Sequence, residues 1–217
     1  MKIIVNTRIK KFVPNEDDNL HCFQCCFKMA YEFFSNKTIT MSQVENMTNF
    51  TPGKPTWPYF GMLSLASAGF QVKCIEHFDT NKFVAEPKIA IKEHINDDEI
   101  AAFIINESIL ENESNFALRC LQHPNITFEI RIPSLDDIMA LINDGFLVIV
   151  NVNYYALLDE DKYYGHFVIV ENIINDCVIL QNPGLPPIQN QIVSKEKFLT
   201  AWQYPNKNLS NVLAVKI

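Results

Sequence analysis

Four β-rich runs in the second half of the chain constrain its fold more than any other feature. They are FLVIVNV (146–152), HFVIVENII (166–174), CVILQN (177–182) and VLAVKI (212–217), and all are rich in Val and Ile. Only Asn175 and Asp176 separate the middle two runs, which indicates a hairpin turn. Because helical patterns dominate the first half, the order of elements is typical of an α+β fold.

An amphipathic helix is predicted to begin at Cys22. Its apolar residues recur with helical spacing, and they are Phe23, Cys26, Phe27, Ala30, Phe33 and Phe34. The polar run NEDDN (15–19) comes before it, so Cys22 is expected at the helix N-terminus, with Cys26 on the apolar stripe and Cys25 away from it. We expect the stripe to be buried against a mostly antiparallel sheet formed by the four β-rich runs.

Two other segments carry clear local signals. Residues 59–75 have the pattern of a helix followed by a strand. Further on, Ser134 can cap a helix together with Asp137, and Gly145 is a helix stop directly before the first β-rich run. The sequence therefore predicts a helix that leads straight into the sheet.

The chain is predicted to form a single domain over 1–217. Its 217 residues are enough for a substantial core, and no linker, repeat or low-complexity tract divides them. Residues 79–130 differ in character from the rest, because charged and polar residues alternate there with apolar ones at helical spacing. We expect this region to form two or three surface helices that act as an insertion or cap.

The charge pattern excludes several classes of protein. The formal net charge is −7, and the acidic residues form small clusters without a basic stripe that could neutralise phosphates, so no nucleic acid partner is expected. No apolar run approaches the ~20 residues that span a bilayer, and none resembles a signal peptide core, so no membrane partner is expected either. The prediction is a cytoplasmic protein with reduced cysteines.

The six cysteines then require another explanation, namely packing, metal binding or chemistry. Cys22 and Cys25 form a C-x-x-C pair, and Cys120 with His123 could complete a zinc site. Neither pair lies in a glycine-rich knuckle, and the first pair does not follow a strand as a thioredoxin-like motif would. We therefore expect no metal and no cofactor, and we assign Cys26, Cys74 and Cys177 to packing.

Cys22 is a candidate nucleophile because of its place in the predicted helix. A thiol in the first turn feels the positive end of the helix dipole, which lowers its pKa. His166, which follows Gly165 at the start of a β-rich run, is the candidate base, and we expect it at a sheet edge open to a cleft. Asn182 ends the next run and can fix the tautomer of that imidazole.

This arrangement places a condition on the hairpin. Side chains alternate between the two faces of a strand, so a strict two-residue turn puts His166 and Asn182 on opposite faces. A three-residue turn places Asn182 opposite Val168, one diagonal step from His166. The candidate site therefore requires the longer turn or a β-bulge.

The order Cys, His, Asn resembles that of the papain-like cysteine peptidases. More specifically, the first helix and the segments LDDIMALINDGFLVIVNVN, GHFVIVENI and VILQNPGLPP are similar to the bacteriocin-leader-processing peptidases and their uncharacterised bacterial relatives. The similarity extends from about residue 20 to about 205, and 79–130 match least. It implies a papain-like fold with Cys22 as nucleophile, His166 as base and Asn182 as the third member, where that family usually has Asp and papain has Asn.

Two positions depart from this family. The residue after the nucleophile is usually glycine and is Phe23 here, and Glu16 and Asp17 stand where a glutamine usually stabilises the oxyanion. The candidate substitutes for that donor are Asn19, Gln24 and the Cys22 backbone amide. Loss of one oxyanion donor costs about 10²–10³ in turnover.

The function predicted from these features is that of a cysteine hydrolase. It would act on a peptide or on a small acyl or amide substrate through a thioester on Cys22. The alternatives are an acyltransferase that uses the same thioester and a catalytically silent binding module, which the missing glutamine favours. Trp57 and Trp202 are expected to fill the core, and the sequence does not predict an oligomeric state.

Overall fold

The structure is a computed structural model that describes residues 7–217. Its helices are α1 (Cys22–Ser35), α2 (Met41–Thr48), α3 (Tyr59–Ser67), α4 (Thr80–Ala85), α5 (Pro87–Ile95), α6 (Asp98–Glu107), α7 (Leu110–Gln122), α8 (Leu135–Asn143), α9 (Tyr154–Leu157) and α10 (Lys195–Trp202). Its strands are β1 (Gln71–Glu76), β2 (Ile126–Ile130), β3 (Leu147–Asn153), β4 (Gly165–Ile174), β5 (Cys177–Asn182), β6 (Ile188–Ser194) and β7 (Asn211–Lys216).

The strands form one sheet in the order β2-β1-β7-β3-β4-β5-β6. Only β1 and β2 pair in parallel, and every other neighbouring pair is antiparallel. The prediction of an α+β fold with a mostly antiparallel sheet is confirmed, and the four β-rich runs correspond to β3, β4, β5 and β7. The sequence analysis did not predict β2 or β6, which lie at the two edges.

Helix α1 packs on one face of the sheet, as predicted. Its Phe23 ring contacts Phe167 of β4, with ring centroids 5.0 Å apart. Every residue of α1 from Cys22 to Ala30 is buried, so the helix is enclosed on all sides and not only along its apolar stripe. Cys25 is therefore buried as well, and its sulfur lies against the N-terminal segment and donates a hydrogen bond to the Pro14 carbonyl oxygen.

The opposite face of the sheet is covered by α8, α9 and α10. Val168 and Val170 of β4 belong to this second core, together with Phe198 and Trp202 of α10. Both faces of the central strands are thus buried, which explains why β3 and β5 are nearly continuous apolar runs.

The predicted helical cap has a more precise form in the structure. Four helices, α4 to α7, occupy residues 80–122, where two or three were expected. The last part of the predicted cap, 126–130, is instead strand β2, which extends the sheet beside β1. The insertion between β1 and β2 therefore consists of α4–α7 and packs on the same side of the sheet as α1 and α3.

None of the helices within residues 7–217 is both long enough and apolar enough to cross a membrane.

Candidate active site

Cys22 is presented by a short polar loop that Asn15 organises. The Asn15 side-chain oxygen accepts hydrogen bonds from the backbone amides of Glu16 and His21, and its amide nitrogen donates to Asn19. The Asn15 backbone amide donates to the Pro183 carbonyl oxygen over 2.9 Å, directly after the end of β5. The sequence analysis missed Asn15, because within a run of polar residues nothing distinguishes the one that is buried.

The hairpin of β4 and β5 satisfies the condition set by the sequence. The turn contains only Asn175 and Asp176, but the register shifts at Glu171 of β4. This β-bulge changes which residues face each other, and it places His166 and Asn182 on the same face. The His166 Nε2 and Asn182 Oδ1 atoms are 2.7 Å apart.

The contacts of Asn182 determine the tautomer of His166. Its Oδ1 atom also accepts a hydrogen bond from the backbone amide of Gly184, and its Nδ2 atom donates to Gln191 Oε1. Because Oδ1 is an acceptor, the His166 Nε2 atom must carry the proton and donate it. The lone pair is therefore on Nδ1, which is buried and has no hydrogen-bond partner among residues 7–217. This is the tautomer that a general base requires.

The bulge residue Glu171 has its own buried contacts. Its carboxylate accepts hydrogen bonds from the backbone amides of Arg8 and Ile9 and from the Gln181 side chain. It is 3% exposed. The extra residue of β4 therefore also fixes the N-terminal segment, a role that no local pattern in the sequence indicates.

The surroundings of His166 are closed, contrary to the expectation of a position open to a cleft. His166 is 0% exposed, and the Tyr154 ring packs against it with ring centroids 4.9 Å apart. Gly184 lies so close that a Cβ atom there would be 2.7 Å from the Tyr154 ring and 3.0 Å from Asn182 Oδ1. Burial lowers the pKa of His166 to about 4, although the hydrogen bond to Asn182 opposes this.

Cys22 and His166 do not form a hydrogen bond in this structure. The Cys22 sulfur lies instead near the backbone of β4, where the Phe167 amide favours its thiolate. Burial outweighs this contribution and those of the Phe23 and Cys22 amides, and it raises the pKa of Cys22 to about 11. The prediction that the helix dipole lowers the pKa of Cys22 is therefore wrong. Cys22 is 8% exposed, so its thiolate loses more stabilisation by water than the backbone amides supply.

The zinc alternative has no geometric support. The Cys25 sulfur donates to Pro14, the Cys120 sulfur donates to the Tyr59 carbonyl oxygen, and His123 Nδ1 accepts from the Asn125 amide. Within residues 7–217, no three His, Cys, Asp or Glu side chains are placed to hold a metal ion.

A cavity of about 370 Å³ lies between the sheet and the α4–α7 insertion. Cys22, Gly165 and Phe167 lie in its wall, whereas His166 does not. Both Trp57 and Trp202 also line it, so they contact open space as well as the core. A small molecule in this cavity would thus contact Cys22 and would reach His166 only after a rearrangement.

The comparisons with known proteins identify the fold. No protein-family model matches the sequence, and no curated protein does. Among solved structures, the peptidase domain of Streptococcus ComA, a bi-functional ABC transporter involved in a quorum sensing pathway, superposes with a TM-score of 0.51. The alignment covers 95% of this chain and 97% of that domain at 12% sequence identity. The chain has a papain-like cysteine peptidase fold. At this identity the likeness concerns the fold alone, and the chemistry depends on the residues described above.

Phe23, the first departure within this papain-like fold, is accommodated by a glycine on another helix. A Cβ atom at Gly61 of α3 would be 2.7 Å from the Phe23 ring. The absence of a side chain at Gly61 thus makes room for the large side chain that follows Cys22. The ring fills this space and is 1% exposed.

The three candidate oxyanion donors named from the sequence differ in their contacts. Gln24 is turned away, since its Nε2 atom donates to Thr48 and Thr56 and both of its N–H groups are engaged. Asn19 accepts from Asn15 through its side chain and from the Tyr164 hydroxyl through its backbone oxygen. The backbone amide of Cys22 is the remaining candidate, because it lies close enough to its own sulfur to favour the thiolate.

Proposed function

We propose that this protein is a cysteine hydrolase of the peptidase or amidase type. Cys22 is the nucleophile, His166 the general base and Asn182 the residue that holds the base. One observation carries the proposal: the hydrogen bond from His166 Nε2 to Asn182 leaves the Nδ1 lone pair buried and without a partner. A buried polar atom without a partner is costly, so this arrangement favours a role that engages Nδ1.

The reaction proceeds through a thioester. As the Cys22 sulfur attacks the carbonyl carbon, its proton moves to His166 Nδ1 and the carbonyl π electrons move to the oxygen, which the Cys22 amide stabilises. The C–N bond then breaks, and the amine leaves with the proton from Nδ1. Water, deprotonated by the same nitrogen, attacks the thioester, and release of the acid restores the thiol.

Without a substrate, the Cys22 thiol and the His166 imidazole are both neutral. With the pKa of the thiol about 11 and that of the imidazole about 4, neither group is ionised at neutral pH. Substrate binding must therefore bring the sulfur to Nδ1 and admit polar groups beside both. Displacement of the Tyr154 ring is the step that opens His166, since this ring covers it.

The test is acylation of Cys22 by p-nitrophenyl acetate at neutral pH, followed by intact mass. We expect one acetyl group on the wild type and none on Cys22→Ala. Cys26→Ala is the matched control, because Cys26 is a buried thiol of the same helix, and it should be acetylated like the wild type. Absence of acylation at Cys22, or equal acylation of Cys22→Ala, would contradict the proposal.

A silent binding module is the second candidate, and two observations favour it. The resting thiol has a raised pKa, and Glu16 and Asp17 supply no donor where the oxyanion glutamine is expected. In that case the cavity binds a peptide or small ligand, and Cys22 stays unmodified. An acyltransferase differs only in the last step, so adding an amine to the acetylated protein and searching for the acetamide separates it from a hydrolase.

We place this activity in the cytoplasm. All six cysteines are free thiols, and a reducing compartment keeps a nucleophilic cysteine available. The substrate in this proposal is a peptide or a small acyl or amide compound.

A further inference from the structure

The cavity beside Cys22 has an unusual distribution of charge. Its walls are mostly apolar, and the aromatic residues among them include Trp57, Tyr59, Phe78 and Trp202. Two carboxyl groups, Glu76 and Glu107, also line it, whereas none of the lining residues is Lys or Arg. The cavity therefore presents negative charge and aromatic faces without a cation of its own.

Only one of the two carboxyl groups is already neutralised. Glu107 forms an ion pair with Lys54, at 3.0 Å. Glu76, at the end of β1, forms no ion pair among residues 7–217, and its side chain accepts one hydrogen bond, from the weak donor Cys74 Sγ at 3.4 Å. A carboxyl group in such a wall is poorly stabilised when ionised.

The pKa values of Glu76 and of its neighbour Tyr59 both reflect the lack of positive charge in this wall. Burial raises the pKa of Glu76 to about 7, so the cavity without a ligand does not supply the positive charge that would stabilise the carboxylate. Burial, and then the charge of Glu76, raise the pKa of Tyr59 well above its usual value. The Tyr59 ring therefore lies within the field of this carboxyl group.

His94 of α5 adds a neutral polar atom to the same cavity. Its Nδ1 atom is buried without a hydrogen-bond partner among residues 7–217, and its ring packs on Phe78 with ring centroids 5.0 Å apart. Burial, and then the neighbouring His77, lower the pKa of His94 to about 4. The ring is therefore neutral at pH 7 and does not repel a cation.

We propose that this cavity binds an ammonium or guanidinium group carried on an apolar stem, with the cation paired to Glu76. Aromatic faces attract cations through their quadrupoles, and the apolar wall accepts the stem. A neutral apolar ligand would leave Glu76 unpaired, and an anionic one would be repelled by it. The volume of about 370 Å³ is at the lower end of ligand cavities and fits a single side chain of this kind.

This inference rests on the proposed function and narrows its substrates. Cys22 lies in the wall of the same cavity, so a cation paired to Glu76 and a carbonyl carbon attacked by the sulfur would belong to one bound molecule. The substrates are then acyl or amide compounds with a lysine-like or arginine-like side chain beside the bond that is broken.

Binding is tested in the Cys22→Ala protein, so that no chemistry intervenes. The probes are hexylammonium, 1-hexanol and hexanoate, which share one stem and differ in charge. The chain has two tryptophans, Trp57 and Trp202, and both line the cavity, so their fluorescence reports occupancy. We expect hexylammonium to bind at least about tenfold more tightly than 1-hexanol at pH 8, and hexanoate to bind most weakly.

The variant Glu76→Gln should remove that preference, because it keeps the shape of the side chain and removes its charge. Glu86→Gln is the matched control. Glu86 is an exposed residue of the α4–α7 insertion, and it does not line the cavity. Equal or tighter binding of 1-hexanol or hexanoate in the parent protein, or an unchanged preference in Glu76→Gln, overturns the inference.

The two proposals fail separately. If hexylammonium binds as expected while p-nitrophenyl acetate does not acylate Cys22, the cation site is supported and the hydrolase proposal is wrong. If Cys22 is acylated but the preference for the cation is absent, the hydrolase proposal is supported and the inference of a cation site is wrong.

Discussion

The two halves of the candidate site are built differently. The half with His166 and Asn182 belongs to the sheet, and the side chain that holds the imidazole is itself held by Gly184 and Gln191. The half with Cys22 belongs to a helix end that follows a polar loop, and its sulfur forms no side-chain hydrogen bond among residues 7–217. The candidate base is therefore pre-organised, whereas the candidate nucleophile depends on what the substrate brings. Activity would therefore need two movements, one that uncovers His166 from the Tyr154 ring and one that brings the Cys22 sulfur to it.

The largest effect is expected from Asn182→Ala, which tests the rigid half. It leaves His166 Nε2 and the Gly184 amide without their acceptor, so the lone pair is no longer fixed on Nδ1. The rate of Cys22 acylation by p-nitrophenyl acetate should fall by roughly 10²–10⁴. Asn182→Asp keeps an acceptor oxygen and should retain most of the rate. Equal rates for the Ala variant and the wild type would show that the holding residue does not matter.

The next effect is a dependence of stability on pH that comes from His166. Its folded pKa of about 4 lies below the usual value of 6.5, so between these values the unfolded chain binds the proton more tightly. The free energy of unfolding should therefore decrease as the pH falls from 7 to 4.5, by roughly 2–3 kcal/mol from this residue alone. Urea titrations of the wild type and of His166→Gln at both pH values measure it.

The control for this measurement is His123→Gln, which replaces a half-buried histidine outside the site and keeps both His166 and His94. The wild type and His166→Gln also share the contribution of His94, whose pKa burial lowers to about 4, so the difference between them isolates His166. If His166→Gln has the same slope as the wild type, His166 is not buried as a neutral ring.

A smaller effect is expected from Gly61→Ala, which tests the packing on the cysteine side. The new methyl group would meet the Phe23 ring, and that ring cannot move easily because it lies between Phe27 and Phe167. We expect a loss of about 1–3 kcal/mol in the free energy of unfolding, measured by urea titration. In a Phe23→Leu background the same substitution should cost less than 1 kcal/mol. A cost that is equal in both backgrounds would show that Phe23 and Gly61 do not compete for this space.

Much of the fold followed from local patterns. The predicted capping pair of Ser134 and Asp137 is present at the start of α8, with each partner hydrogen-bonded to the other's backbone. Strands β3, β4, β5 and β7 are runs whose composition alone separates them from helices. These elements could be predicted because their signals lie within a few residues of one another.

The elements that were missed depend on distant parts of the chain. Strand β6 contains the polar run Gln189–Asn190–Gln191 and is mostly exposed, since as an edge strand it has a partner on one side only. Strand β2 is short and needs the parallel partner β1, which comes before the whole insertion. Neither has the periodicity of a half-buried strand, so only the assembled sheet identifies it.

The site divides in the same way. The sequence could set the condition that His166 and Asn182 share a face, but it could not choose Glu171 as the bulge, because that choice depends on the Arg8 and Ile9 amides. The burial of His166 and Cys22 could not be predicted from the sequence either. The closure of His166 by Tyr154 and the raised pKa of Cys22 both arise from residues that are remote in sequence or packed from another layer.

The bulge at Glu171 has a consequence for how such a sequence can diverge. Substitutions along β4 change one contact at a time, whereas the loss or gain of a single residue between His166 and the turn reverses every inward and outward position that precedes it. His166 would then exchange faces with Phe167 and lose Asn182 in one step. Among relatives of this chain, the spacing from His166 to Asn182 is therefore expected to be preserved more strictly than the identity of most residues between them, and a length change there marks the loss of the pair.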